Sequence, residues 1–212
     1  MEIKLIIDNK EIKTKSGEKI LWVALDNGIY IPNLCAIKER KPPYGSCRLC
    51  LVEIELYGKR GIVASCCEPA CDGMKVYTNT LKVRRLQRTA FELLMSEHYI
   101  NCKECLGSKN CQLLRIAGFL RVKIEPKRFR RLERNLSVYT SCDFVLDPNK
   151  CIKCGKCIYV GSQLGKKELN FAYRGIEMTI TTFDNIPLKD LDKNILKECA
   201  EICPSQALTT LS

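Results

Sequence analysis

Apolar positions alternate at the start of the chain: Ile3, Leu5 and Ile7 interleave with Lys4 and Ile6, the pattern of a half-buried strand. Asp8-Asn9-Lys10 makes a turn, and residues 11–14 return as a second strand. The period then lengthens. Ser16-Gly17-Glu18-Lys19 precedes Ile20, Leu21, Ala24 and Leu25, which share a helical face, and Asn27-Gly28 supplies a left-handed stop. Residues 51–56 predict a strand, Gly58-Lys59-Arg60-Gly61 a turn and residues 62–64 its return. From 81 to 99 the pattern is helical, with Leu86, Ala90, Leu93 and Leu94 on one face and Arg84, Arg85, Arg88 and Glu92 largely elsewhere. A short helix follows over 111–120. Residues 171–180 fit a strand pair about Arg174-Gly175, residues 189–200 a helix and 206–210 a closing strand.

Hairpin, helix and an Ile31-Pro32-Asn33 loop, in that order, predict the opening of a β-grasp fold within an α+β chain. At 212 residues there is room for one to three domains. Apolar content is 46%, but aromatics are 7% with a single Trp22, and small domains with few large core residues usually need covalent or metal staples. Fifteen cysteines supply them. Met1-Glu2-Ile3-Lys4 opens without the apolar stretch of a secretory signal, and no apolar run approaches membrane-spanning length. The expectation is a cytoplasmic protein without direct membrane insertion, in which clustered thiols stay reduced and act as metal ligands.

The cysteines fall into three groups. Cys35, Cys47, Cys50 and Cys66 are spaced C-x11-C-x2-C-x15-C, with Gly45-Ser46 letting backbone amides approach the sulfurs. The predicted hairpin at 51–64 would bring Cys66 back beside Cys50. His98, Cys102, Cys105 and Cys111 read H-x3-C-x2-C-x5-C, and His98 is the only histidine in the chain. That donor set alone suits a zinc ion or an iron–sulfur cluster. The third group, Cys151, Cys154 and Cys157, has the C-x2-C-x2-C spacing of bacterial ferredoxins, and Cys203-Pro204 ends the chain's second half as such runs end. In two-cluster ferredoxins the fourth cysteine of each run serves the other cluster. One four-iron site is therefore complete in Cys151, Cys154, Cys157 and Cys203. Its twin would need Gly161, Lys193, Leu196 and Cys199, and three of those four are not ligands. Cys67, Cys71, Cys142 and Cys199 remain, read by default as small buried hydrophobes, with Cys199 a remnant ligand and Cys142 a candidate substitute.

Pro43-Tyr-Gly-Ser-Cys47-Arg-Leu-Cys50-Leu-Val-Glu and Val63-Ala-Ser-Cys66 resemble the two-iron ferredoxin domain that opens the large complex I iron–sulfur subunit, many iron-only hydrogenases and the diaphorase subunit of NAD-linked nickel–iron hydrogenases. In that family the last ligand follows Ala-Ser, which selects Cys66 over Cys67. The wide gap between Cys35 and Cys47 departs from plant ferredoxins. The His98 motif matches at every position the family motif that holds a four-iron cluster with histidine in place of one thiolate. The resemblance covers nearly the whole chain, three motifs in the family's order. It implies one 2Fe-2S and two 4Fe-4S clusters, in a β-grasp domain over 1–78, a small helical domain with a basic connector over 79–138, and a ferredoxin-like domain with one cluster lost over 139–212.

The formal charge is +11, which invites a nucleic-acid reading, with Lys127-Arg-Phe-Arg-Arg-Leu-Glu-Arg134 as its most basic run. Three such clusters with their thiolates would lower the charge to about +6, and no nucleic-acid fold signature accompanies the run. The run reads instead as a solvated connector or a surface for an acidic partner. There is no G-x-G-x-x-G, no nucleophile–base pair and no paired carboxylates for acid–base work. The sequence therefore predicts a non-catalytic electron-transfer subunit. The resemblance implies a flavin NAD(P)H-binding partner with its own small two-iron protein on one side. On the other it implies a hydrogenase, or failing that a formate dehydrogenase, with electron bifurcation a capacity of some such complexes. A free-standing ferredoxin-like carrier and a zinc-binding, nucleic-acid-associated protein are the competing classes.

Overall fold

The computed structural model describes residues 1–211 and divides into two compact units, Met1–Phe91 and a second from Glu92 onward. The first is built on a five-stranded sheet. Strands β1 (Glu2–Ile7) and β2 (Lys10–Lys15) form the opening hairpin, and Asp8 and Asn9 take the left-handed conformation that turns it. Helix α1 (Ile20–Asp26) follows, then β3 (Leu51–Leu56), β4 (Lys59–Ala64) and β5 (Lys75–Tyr77). The strand order is β2-β1-β5-β3-β4, with β5 parallel to β1 and antiparallel to β3. The alternation at the N-terminus does what its period requires. Ile3, Leu5 and Ile7 are buried against Ile20, Leu21, Val23 and Ala24 of α1 and against Val52 and Val76. Each such side chain contributes roughly 1.5–3 kcal/mol of burial.

The central strand is the part that sequence reading missed. β5 is three residues long and too short to show a period, yet it bridges the two hairpins. The β3–β4 turn also sits earlier than expected, on Tyr57-Gly58, both with positive φ, so that Lys59, Arg60 and Gly61 belong to β4.

Helix α2 (Leu81–Glu97) ends two residues short of the expected stop, and its buried stripe is rotated. Val83, Gln87, Phe91 and Met95 are buried at four-residue spacing, while Leu93 is exposed. The bulkier Phe91 and Met95 set the inward face. Gln87 is tolerated there because its amide donates to the Leu51 carbonyl at 2.9 Å.

In the second unit, α3 (Gln112–Leu120) buries Leu113, Ile116, Ala117 and Leu120. A three-stranded sheet runs β10-β7-β6, from β6 (Tyr139–Thr140), β7 (Phe144–Leu146) and β10 (Leu208–Thr210). β8 (Leu169–Ala172) and β9 (Thr179–Thr182) pair antiparallel around the expected turn. Helix α4 (Lys156–Gln163) precedes them, and α5 (Lys193–Ile202) starts four residues later than its periodicity suggested. Its start is set by Asp192, whose carboxylate accepts from the Asn194 and Ile195 N–H groups as an N-cap. The core of this unit joins Phe144, Leu146, Leu169, Ile180, Leu188, Leu191, Ile195, Leu196 and Leu208. No helix among the described residues is long and apolar enough to cross a membrane.

Candidate metal centres

The β3–β4 hairpin explains how one thiol group is assembled. Leu51 pairs with Ala64, and the Ser65 N–H donates to the Cys50 carbonyl at 3.0 Å, so Cys50 and Cys66 leave the hairpin at the same end. Cys47 lies three residues earlier in the same loop, and its N–H donates to the Cys35 sulfur at 3.4 Å. All four cysteines are buried. They stand as two hydrogen-bonded pairs, Cys35 with Cys47 and Cys50 with Cys66. The hydrogen bond from Cys47 holds the Cys35 thiol down at about 5 against the opposing effect of burial, and the Ser46 N–H adds to it. The bond from Cys66 likewise holds Cys50 at about 7. The same bonds, with burial, push the partner thiols Cys47 and Cys66 up.

Gly45 and Arg48 take positive φ in this loop. A Cβ on Gly45 would stand 2.8 Å from the Cys67 sulfur, so only glycine lets the loop close this tightly. Ser65 Oγ is buried with no partner at full hydrogen-bonding geometry, though it lies near enough to the Cys50 thiol to help hold it down. A buried donor without a proper acceptor costs free energy, and cluster sulfur is such an acceptor. The donor set and this hydroxyl both fit a two-iron cluster. Cys67 is half-buried with its sulfur 3.6 Å from that of Cys66, and Cys71 turns toward the Pro69 carbonyl at 3.8 Å.

His98 is buried one residue beyond the end of α2. Its Nδ1 hydrogen-bonds to the Lys150 carbonyl at 2.9 Å, and burial lowers its pKa, so the ring is neutral and can offer its second nitrogen to a metal. Cys102 and Cys105 are half-buried, and Cys111 is buried as the N-cap of α3. The three thiols lie close enough to feel one another's charge. Burial raises the Cys111 thiol, while the Leu113 and Leu114 N–H groups of the first helical turn work against it.

The third group meets around one apolar cavity. Cys151, Cys154, Cys157 and Cys203 all line it, with Ile152, Phe171 and Ile180 among their neighbours. Lys153 and Gly155 take positive φ between the first three cysteines, and the Lys153 N–H donates to the Cys151 sulfur at 3.4 Å. Burial pushes the Cys151 and Cys157 thiols up and the neighbouring thiols add to it, while Lys153 offsets the shift at Cys151 only in part. Four thiols in an apolar shell fit an all-cysteine four-iron cluster.

The positions of the missing twin do not line this cavity. A Cβ on Gly161 would meet the Lys166 carbonyl oxygen at 2.8 Å, Leu196 is fully buried in the core, and Lys193 is exposed and ion-paired with Asp143 at 2.6 Å. Cys199 is buried with its sulfur 3.4 Å from the Cys157 carbonyl, and its thiol is pushed up to about 12 by desolvation. Cys142 is exposed. Among the described residues, no three His, Cys, Asp or Glu side chains converge as ligands of a single ion do. In a cluster the thiolates bind different irons and stand further apart.

The basic run is engaged within the unit. Arg128 pairs with Glu92 at 3.4 Å and covers the Phe129 ring, Arg131 pairs with Glu125 at 3.2 Å, and Arg134 donates to the Ile176 and Met178 carbonyls. Nothing in the sequence had tied this run to the β8–β9 turn.

Residues 1–81 match a family model described as a 2Fe-2S iron–sulfur cluster binding domain. Residues 144–209 match one described as the ferredoxin-like domain of NADH-quinone oxidoreductase subunit 3. The chain is 32% identical to an NADH-quinone oxidoreductase subunit of Rhizobium meliloti, over 97% of this chain and 24% of that protein. It is 29% identical to the gamma subunit of the NAD-reducing hydrogenase HoxS of Cupriavidus necator, over 96% of this chain and 85% of that one. The chain thus spans about a quarter of the first relative and most of the second. A crystal structure of an NAD+-reducing NiFe-hydrogenase in its H2-reduced state contains a chain that superposes with a TM-score of 0.86 at 32% identity, over 99% of this chain and 88% of that one. With thiol groups gathered in both matched regions, the chain belongs to the iron–sulfur electron-transfer family that includes iron–sulfur subunits of NADH-quinone oxidoreductases and the diaphorase subunits of NAD(P)-linked hydrogenases.

Proposed function

We propose that this chain is the three-cluster wire of an NAD(P)-linked hydrogenase complex. It takes electrons one at a time from a flavin NAD(P)H-binding subunit and passes them to, or receives them from, a hydrogenase catalytic subunit. Cys35, Cys47, Cys50 and Cys66 hold a 2Fe-2S cluster in a β-grasp domain over 1–78. His98, Cys102, Cys105 and Cys111 hold a 4Fe-4S cluster in a helical domain over 79–138. Cys151, Cys154, Cys157 and Cys203 hold a second 4Fe-4S cluster in a ferredoxin-like domain over 139–212 that has lost its twin.

When bound, the clusters supply reversible one-electron centres. The residues around them do the rest. Hydrogen bonds from Cys47 and Ser46 favour the Cys35 thiolate, the apolar wall of Ile152, Phe171 and Ile180 keeps water from the third site, and His98 contributes a neutral ligand. The observation that carries this reading is the third cavity. It gathers Cys203 with three cysteines some fifty residues earlier in the chain, in apolar surroundings that suit a cluster and nothing nucleophilic. The HoxS and NiFe-hydrogenase relatives support a hydrogenase partner.

The test is reduction of the anaerobically reconstituted protein by NAD(P)H with and without a diaphorase flavoprotein from the same source. Flavoprotein-dependent bleaching of the iron–sulfur absorbance, followed by dihydrogen formation on adding the hydrogenase subunit, is the expected result. Bleaching with dihydrogen replaced by turnover of a formate dehydrogenase moves the partner. Failure of the flavoprotein to reduce any cluster contradicts the proposal.

A further inference from the structure

The segment joining β7 to Cys151 is tied to the His98 segment by more hydrogen bonds than its own 3-10 turn needs. Asp147 is buried and caps the turn Pro148–Lys150, accepting from both the backbone N–H and the side-chain amide of Asn149 at 3.0 Å. Asn149 then spends the rest of its amide on Leu136. Its Nδ2 donates to the Leu136 carbonyl at 2.9 Å, and its Oδ1 accepts from the Leu136 N–H at 3.1 Å. The Asn149 backbone carbonyl accepts from the Tyr99 N–H at 2.8 Å, and the next carbonyl, that of Lys150, accepts from His98 Nδ1. Two consecutive carbonyls of one turn therefore grip two consecutive residues, His98 and Tyr99, across some fifty positions of sequence.

We propose that Asn149 is a positioning residue for the His98-ligated centre. It clamps the turn so that the Lys150 carbonyl fixes the histidine's tautomer and aims Nε2 at iron. The chemistry leaves one choice: a carbonyl oxygen can only accept, so Nδ1 carries the proton and Nε2 keeps the free lone pair. The same peptide bond is the direct link to the third site, because the Lys150 carbonyl carbon is bonded to the Cys151 nitrogen. His98 ring, Nδ1–H, Lys150 carbonyl, Cys151 backbone and Cys151 sulfur form a bonded route with a single hydrogen-bond step. With clusters bound at both sites, this route would join a ligand of one to a ligand of the other. The Nδ1 proton stays on nitrogen, and no bond forms or breaks. This inference rests on His98 being an iron ligand, as proposed above.

Two measurements on the full chain test it. The single histidine makes isotope labelling unambiguous. In protein carrying histidine labelled with 15N at one ring position or the other, pulsed EPR of the dithionite-reduced sample should give the strong coupling from Nε2 and only a weak remote coupling from Nδ1. A strong Nδ1 coupling overturns the proposal. Coupling from neither nitrogen removes His98 as a ligand, a different failure that strikes the ligand assignment itself. The second measurement uses Asn149→Ala and Asn149→Asp, the latter keeping the shape but removing both donors. Iron at the His98 centre should become about tenfold easier to extract with a chelator and its EPR line shape should change, with the two-iron signal as internal control. Both variants retaining the parent line shape and extraction rate overturn the role of Asn149. A variant that loses all three signals at once has failed to fold, and the labelling result then decides.

Discussion

At the scale of single residues, the choice between neighbouring sulfurs is sharp. Cys66 is buried and hydrogen-bonded with Cys50, while Cys67 is half-buried and packs against Gly45. Cys66→Ser should abolish the two-iron EPR signal, and Cys67→Ser should leave it. The reverse pattern would reassign the ligand. His98 allows a second residue-scale prediction. A neutral imidazole leaves its cluster less negative than an all-thiolate set would, which favours reduction. His98→Cys should therefore lower that centre's midpoint potential by on the order of 100 mV, read by redox titration followed by EPR, and an unchanged or higher value would contradict the assignment. The proposed donors were chosen in the sequence mostly from local spacing, with Cys66 taken over Cys67 on the family resemblance and Cys203 through the exchange of fourth ligands in two-cluster ferredoxins. The residues that orient them were not legible there. Asn149 reaches Leu136 across a chain separation that hides the contact, and nothing in the run Asp147-Pro-Asn-Lys announces that two of its carbonyls face His98 and Tyr99.

At the scale of elements, periodicity found the long pieces and missed the short ones. The hairpin of β1 and β2, helix α1 and the β8–β9 pair lie where alternation and turn residues place them. β5 escaped because three residues cannot display a period, and the face of α2 was misjudged because counting leucines ignored a satisfied Gln87 and the larger Phe91. The pairing of α4 with α5 bears on the lost twin. Leu196 fills the core there, and Gly161 lies under the Lys166 carbonyl with no room for a side chain. Restoring the ligand pattern with Gly161→Cys, Lys193→Cys and Leu196→Cys together should lower the melting temperature without adding iron. The loss of the buried Leu196 contacts and strain at position 161 each cost about 1–3 kcal/mol. A gain of about four irons per chain in that triple variant would show that the cavity still exists in latent form.

At the scale of the whole molecule, the formal charge of +11 becomes intelligible as compensation for anionic centres, helped by arginines of the 127–134 run that are already engaged with Glu92, Glu125 and backbone carbonyls. A protein proposed to hold three clusters has its function in their number and ligation. The most direct test is therefore iron, acid-labile sulfide and zinc per chain on anaerobically prepared protein, with low-temperature EPR of the reduced sample. About ten irons with matching sulfide are expected, appearing as one two-iron and two four-iron signals. Roughly two or three zincs with negligible sulfide would contradict it, and the basic surface would then become the place to look for function.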